Sequence, residues 1–269
     1  DVILPSDYAV ENLIAQDKLE KLDKEALPNV KNIDETFLDQ SFDPGNVYSM
    51  PYEGGVACIA VNKSKVNKDI KSYADLFDPE LKDQIVVLDD YRAVIGMTEK
   101  SMGLSMNETD PDTLKNVEDK LLTLKSNVKL FDSDSPKSAL IAGDCSVGMV
   151  WSAEVALSMD ENPDIEIVYP SEGAYVFLDN WVVPKGAKNY DNAMKFINYM
   201  LSADAAKMNI EDFPYLCPNK AALDLMGEDY TSNTAKNVPK DVISGGEYIK
   251  YLDSDTLKLY DEMWTKLKE

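Results

Sequence analysis

Short apolar segments alternate with longer amphipathic segments along most of the chain. Runs of four to eight apolar residues bounded by turn residues predict buried strands, and apolar positions three and four apart predict helices. The pattern predicts strands at residues 2–4, 52–61, 85–88, 128–131, 146–150, 165–168 and 175–184. It predicts helices at residues 9–16, 72–77, 93–102, 112–124, 136–142, 153–158, 190–201, 203–210 and 255–267.

This alternation of strands and helices predicts an α/β fold with largely parallel sheets. A chain of 269 residues is too long for one ordinary core and favours two lobes. Two extended stretches, 51–62 and 177–184, are long enough to cross between lobes and act as a hinge. We predict a first lobe from residues 1–56 and 180–224, and a second from residues 57–179 and 225–269. A cleft between such lobes is a favoured ligand site.

Composition narrows the class of partner. The formal net charge of −22 argues against nucleic acid, whose phosphates require Lys and Arg. Most of these carboxylates are expected to form a solvated surface, so the charge alone does not establish a cation site. The chain contains no His, which removes His-based triads and His metal ligands.

Cysteine spacing and hydropathy limit the metal sites and membrane spans that the chain could have. The three cysteines are far apart and form no CxxC, so buried free thiols are expected, although one disulfide stays open. No metal site and no cofactor is predicted. The sequence has no apolar run of about 18 residues that would span a membrane.

Polar and aromatic residues follow several predicted strands. In open α/β sheets, ligands bind outside the carboxyl ends of strands. The residues at these ends include Ser6, Tyr8, Asp90, Ser133, Trp151, Glu154 and Asp179. An ammonium has three donors and no acceptor, so it suits carboxylates, and its alkyl chain suits ring faces. The set therefore favours an organic dication.

Each of these residues also has an ordinary structural interpretation. Asp90 before a helix can cap it, and Asp132 at a turn can satisfy backbone N–H groups. A single Trp after a strand is commonly packed in the core. Only the recurrence at successive strand ends favours a binding site.

An ordered set of motifs runs over nearly the whole chain: PSDY at 5–8, YSMPY at 48–52, LFDP at 76–79, LDD at 88–90, GMVWS at 148–152, PSEG at 170–173 and YLCPN at 215–219. In the order and spacing of these motifs the chain resembles the bacterial spermidine/putrescine-binding proteins. The resemblance implies a two-lobed, type II periplasmic-binding-protein fold that delivers a polyamine to the permease subunits of an ABC transporter.

The resemblance also implies site roles. Ser6 and Tyr8 would line the cleft from the first lobe, and Asp90, Ser133 and Trp151 from the second. Asp179 would bind an amine at the crossing strand, with aromatic contacts from Phe177 and Tyr215. Glu154 resembles an acidic position of putrescine-preferring members.

The chain departs from the family pattern at three places. Ala93 stands where spermidine-preferring members carry a second carboxylate, and Ile249 stands where they carry Gln. With Glu154 present, these departures favour putrescine or an unusual polyamine mode. The family's first strand and helix are missing, so we expect an excised domain with an incomplete first lobe.

We therefore predict an extracytoplasmic, membrane-tethered, monomeric binding protein and no enzyme. Its partners would be a polyamine and ABC permease subunits, and it would not bind nucleic acid. The alternatives are the same fold with another organic cation or solute, a carboxylate-dependent extracellular hydrolase, and a surface adhesin without a small ligand.

Overall fold

The computed structural model describes all residues from 1 to 269. The strands are β1 (Ser49–Asn62), β2 (Ile85–Val87), β3 (Val128–Phe131), β4 (Val147–Trp151), β5 (Ile165–Val168), β6 (Tyr175–Val182) and β7 (Glu247–Tyr248). The helices are α1 (Asp7–Ala15), α2 (Tyr91–Ser101), α3 (Pro111–Leu124), α4 (Lys137–Ala142), α5 (Ser152–Glu161), α6 (Tyr190–Met200), α7 (Ala203–Asp212), α8 (Lys220–Leu223), α9 (Glu228–Thr231), α10 (Lys240–Gly245) and α11 (Ser254–Lys268). Five 3-10 helices complete the regular structure: Lys24–Ala26, Pro28–Asn32, Glu35–Phe37, Tyr73–Phe77 and Pro79–Leu81.

The chain forms two compact units. Unit 1 comprises Asp1–Gly55 and Phe177–Asn237, and unit 2 comprises Val56–Val176 and Val238–Glu269. The chain passes between the units within β1, within β6 and after Asn237. The predicted division differs at three places, because Val56 belongs to unit 2 and residues 177–179 and 225–237 belong to unit 1.

The sheet of unit 2 has the strand order β3-β2-β4-β1, with β5 also paired to β1. Strand β2 is parallel to both β3 and β4, as the alternating pattern predicts. Strand β1 is antiparallel to β4 and to β5, so the sheet is mixed and the expectation of largely parallel pairing is wrong for β1. Apolar patterning reveals which faces are buried but not the direction of the partner strand.

The core of unit 2 is built on fully buried strands. Every residue of β2 is buried, and the C-terminal helix α11 packs against α2 and α3 through its apolar face. Tyr260, Met263 and Leu267 of that face are buried, in agreement with the predicted amphipathic helix. The three cysteines are buried free thiols.

Unit 1 is mostly helical outside the two long strands. The predicted N-terminal strand forms only single bridges to β6, at Ile3–Val182 and at Ser6–Asp179. Residues 225–237 belong here because Tyr230 is buried in a small cluster and its hydroxyl donates to the Tyr215 carbonyl at 3.0 Å. The sequence pattern carried no sign of this contact, which anchors the segment that holds Tyr215.

Candidate functional site

Ser6 and Asp179 meet in unit 1 although they are 173 residues apart. Ser6 is the residue before α1, and its hydroxyl donates to Asp179 Oδ1 at 2.5 Å. The Ser6 side chain forms no hydrogen bond with the N–H groups of its own helix. The hydroxyl therefore positions the carboxylate instead of capping α1.

Strand β6 presents Asp179 between two rings. Side chains alternate across a strand, so Phe177, Asp179 and Trp181 lie on one face of β6. Phe177 packs edge-on against Tyr215, with ring centroids 6.2 Å apart. Trp181 packs against Tyr52, with ring centroids 4.6 Å apart. One face of unit 1 thus holds a carboxylate flanked by aromatic side chains.

A glycine on β1 allows this arrangement. A Cβ at Gly54 would lie 2.5 Å from the Phe177 carbonyl oxygen, so only glycine permits this close approach of the strands. Gly54 also exchanges two backbone hydrogen bonds with Leu216, at 3.0 and 2.9 Å. These bonds place Tyr215 beside Phe177.

Asp179 is half-buried and lacks a cationic neighbour. Burial raises the pKa of its carboxyl group, and the Ser6 hydrogen bond lowers it, with no lysine or arginine among the causes. A cation that reaches such a carboxylate stabilises its ionised form, because the Ser6 hydrogen bond offsets the cost of desolvation only in part.

Two further acids of unit 1 escaped the sequence analysis. Asp7 is fully buried, accepts hydrogen bonds from the backbone N–H groups of Leu178 and Tyr8, and has its pKa raised by burial to about 8. Burial also raises the pKa of Glu53 to about 7, although Asn209 donates to its carboxylate at 3.1 Å.

The charge of Asp179 raises the pKa of both Asp7 and Glu53, so both carboxyl groups lie within electrostatic range of Asp179. Asp7 lies between the predicted residues Ser6 and Tyr8, and that position is the only sequence signal that could have marked it. Tyr8 itself is on α1 and is 39% exposed.

In unit 2, three predicted residues lie beyond one edge of the sheet. Val87, the last residue of β2, pairs with Phe131 at the end of β3 and with Met149 on β4, which continues two residues further to Trp151. The predicted site residues of unit 2 follow or end these parallel strands and so occupy the same edge: Asp90, Ser133 and Trp151.

Asp90 caps α2, as its structural interpretation predicted. Its Oδ1 accepts hydrogen bonds from the N–H groups of Arg92 at 2.9 Å and Ala93 at 3.1 Å. Burial raises the pKa of Asp90, and these hydrogen bonds lower it. Both bonds involve the same oxygen, so capping does not use Oδ2.

Ser133 and Trp151 complete this edge. The Ser133 hydroxyl is buried and has no hydrogen-bond partner, which is costly unless another group occupies the space beside it. Trp151 is half-buried, and its ring meets the Tyr175 ring edge-on with centroids 5.9 Å apart.

Glu154 differs from its predicted role as a carboxylate for a ligand amine. The Lys137 ammonium donates to Glu154 Oε1 at 3.1 Å and to Oε2 at 3.0 Å. Glu154 is 6% exposed, so the pair is largely removed from water. The carboxylate is thus already neutralised by the protein itself, which the spacing from Trp151 could not reveal.

The other expectations concern neighbouring residues. Asp132 accepts hydrogen bonds from the N–H groups of Asp134 and Ser135, which agrees with the turn interpretation. Ala93 and Ile249, the two departures from the family pattern, are buried and apolar.

A cavity of about 530 Å³ in unit 1 is lined by Tyr48 and Tyr190, among others, and by none of the predicted site residues.

The model of one family, described as bacterial extracellular solute-binding protein, matches residues 1–239. The chain belongs to the bacterial extracellular solute-binding proteins. A spermidine/putrescine-binding periplasmic protein of Salmonella typhimurium is 35% identical over 269 residues, covering 100% of this chain and 77% of the relative. A putrescine/cadaverine-binding protein of Pseudomonas aeruginosa is 31% identical over 281 residues, covering 100% of this chain and 79% of that relative.

Solved structures agree with this family. A Listeria monocytogenes chain provisionally assigned to a spermidine/putrescine ABC transporter matches with a TM-score of 0.94 at 38% identity, covering 100% of this chain and 83% of that one. The substrate-binding protein PotD of Streptococcus pneumoniae, from a spermidine/putrescine ABC transporter, matches with a TM-score of 0.88 at 32% identity and the same coverage.

The fold is therefore that of the two-lobed periplasmic binding proteins, and the predicted fold class and family resemblance are confirmed. Members of this solute-binding family serve transport rather than catalysis, and they work outside the cytoplasm. None of the helices is both long enough and apolar enough to cross a bilayer.

Proposed function

We propose that this solute-binding protein captures a polyamine, putrescine or spermidine, and delivers it to the permease of an ABC transporter. The names of the relatives support this ligand class. The observation that carries the proposal is the Asp179 carboxyl group, half-buried, fixed by Ser6, flanked by rings and without a cation of its own.

A polyamine supplies what this carboxylate lacks. Its terminal ammonium donates charge-assisted hydrogen bonds, and Asp179 would accept one of them on the oxygen opposite Ser6. The methylene chain would pack on Phe177 and Tyr215, whose ring faces also attract the positive charge. Tyr8, on the exposed side of α1, would add a further ring.

Unit 2 has proposed contacts of its own. Asp90 Oδ2 would accept from a ligand ammonium, and the Ser133 hydroxyl would gain the hydrogen bond that it lacks. The Trp151 ring would cover the alkyl chain. In this proposal Glu154 binds the Lys137 ammonium and does not contact the ligand directly.

Binding by carboxylates makes the affinity dependent on pH. Asp179 and Asp90 must be ionised to hold an ammonium, and burial raises the pKa of both. Affinity should therefore fall as the pH drops through these raised values. Such a site performs no covalent chemistry, so the protein would act as a receptor and not as an enzyme. We also propose that it is monomeric and tethered at the membrane in its cellular form.

Isothermal titration of the purified protein tests the proposal. The ligands are putrescine, cadaverine, spermidine and spermine, with an amino acid, a sugar phosphate and a quaternary amine as the competing solute classes. We expect measurable heat with at least one polyamine and none with the anionic solutes. Binding of an anionic solute, with no heat from any polyamine, would overturn it.

A further inference from the structure

A lysine ammonium is paired with an acid close in sequence to the proposed ligand contacts of unit 2, since Lys137 follows Ser133 by four residues and Glu154 follows Trp151 by three. Lys137 donates to both oxygens of Glu154, at 3.1 and 3.0 Å. The Lys137 side chain is 29% exposed and the Glu154 side chain 8% exposed. A pair so little exposed is far less screened by solvent than a surface ion pair, so its charges act on nearby groups.

The topology places this pair at the edge that holds the proposed contacts. Lys137 is the first residue of α4, which follows β3 and the Ser133 turn. Glu154 lies in the first turn of α5, directly after Trp151 at the end of β4. Since β3 and β4 flank β2 in parallel, the pair joins the two helices that leave the same edge of the sheet, after the Ser133 and Trp151 positions.

We propose that Lys137 is a specificity-determining residue that limits how many ligand ammonium groups unit 2 accepts. Its ammonium occupies the carboxylate that a further ligand ammonium would otherwise use, and its own charge repels a second cation at this edge. Asp90 then remains as the carboxylate for the ligand in unit 2. This inference rests on the proposed polyamine function and deepens it.

The consequence is a preference for diamines over triamines. Putrescine carries two ammonium groups and so needs fewer acceptors than spermidine. Spermidine carries a third cationic group, for which unit 2 would offer the Lys137 ammonium instead of an acceptor. A purely structural ion pair would instead affect both ligands equally, because it would act only on the stability of the two helices.

Titration of Lys137→Met with putrescine and spermidine separates these cases. We expect the ratio of the two affinities to shift at least tenfold toward spermidine, because Glu154 becomes available to a ligand cation. The double variant Lys137→Met/Glu154→Gln should lose that shift. Lys137→Gln is titrated in parallel, since it removes the charge but retains a polar side chain, and it should shift the ratio in the same direction.

Lys115→Met is the matched control, because Lys115 forms an exposed ion pair with Asp112 in the same unit. It removes the same charge and should leave the ratio unchanged. If the ratio of the two affinities shifts less than twofold in both Lys137 variants while the wild-type protein binds a polyamine, this inference is wrong and the proposed function still stands. A wild-type protein that binds no polyamine would contradict the proposed function and this inference with it.

Discussion

Asp179 in unit 1 and Glu154 in unit 2 are both acids that the sequence predicts as ligand contacts, yet their surroundings are opposite. Asp179 has a serine hydroxyl and no cation. Glu154 has a lysine ammonium on both oxygens. A carboxylate can therefore serve a ligand only if the protein has not already paired it.

The largest expected effect separates these two acids directly. Asp179→Asn should weaken polyamine binding by about 100-fold, or about 3 kcal/mol, because it removes a charged partner from a desolvated contact. Its stability should stay unchanged or rise. Glu154→Gln should instead lower the free energy of unfolding by about 2 kcal/mol, because it leaves the Lys137 ammonium uncompensated. Titration and urea unfolding measure the two effects.

Asp191→Asn is the control for both variants, since Asp191 is exposed in unit 1 and its substitution removes one equal charge. It should change neither quantity. The contrast between the two acids would be wrong if Asp179→Asn lost stability and kept its affinity, while Glu154→Gln lost affinity and kept its stability.

Two of the three tryptophans, Trp151 and Trp181, give the next largest effect. Trp151→Ala should weaken binding by about tenfold, since a ring over an alkyl ammonium contributes about 1–2 kcal/mol. Trp181→Ala should chiefly reduce stability, because that ring packs between Tyr52 and Phe196 inside unit 1. Equal losses of affinity in the two variants, measured by titration at one temperature, would contradict the proposed role of Trp151.

Buried neutral acids predict a pH dependence of stability that is independent of any ligand. Glu99 is fully buried with one unpartnered carboxyl oxygen, and burial raises its pKa to about 8. The Tyr260 hydroxyl, with a single proton, lies within hydrogen-bond distance of both Glu99 and the Glu108 carbonyl. A protonated Glu99 satisfies both contacts, because its own O–H then donates to Tyr260.

The folded protein therefore holds a proton on Glu99 that the unfolded chain releases near pH 4.5, the ordinary pKa of a glutamic acid. The free energy of unfolding should fall as the pH rises from there toward 8, by at most about 1.4 kcal/mol per pH unit for this proton. Glu99→Gln should flatten the curve, as urea unfolding between pH 5 and about 8.5 would measure. Asp7 and Glu53 act in the same direction, so an unchanged slope in Glu99→Gln would assign the effect to them.

The smallest effect concerns Ser133. Its hydroxyl is buried without a partner, so Ser133→Ala should not reduce the stability of the free protein. The variant should weaken polyamine binding by a few-fold, because the ligand loses one neutral hydrogen bond. Loss of stability with full affinity would indicate that the hydroxyl serves the fold and not the ligand.

Much of the fold follows from local patterning. The predicted helices at 112–124 and 255–267 correspond closely to α3 and α11, because an amphipathic stripe marks the buried face of each helix. The pattern could not give the direction of β1, since an antiparallel and a parallel partner bury the same face.

The candidate site was predictable only in part. The parallel pairing of β2 with β3 and β4 brings Asp90, Ser133 and Trp151 to one edge, as the strand-end rule implies. The pairing of Lys137 with Glu154, like the burial of Asp7, depends on contacts between separate elements. Such contacts carry no local pattern, so sequence reasoning treated Glu154 as an available carboxylate.

The proposed function requires ionised carboxylates for the ammonium groups of the ligand. Titration of the wild-type protein with putrescine and with 1-aminobutane tests this requirement most directly, since both have four carbons and only putrescine has a second ammonium. Putrescine should bind at least 100-fold more tightly, as expected when two charged contacts replace one. Equal affinity for the two amines, or no binding of either, would contradict it.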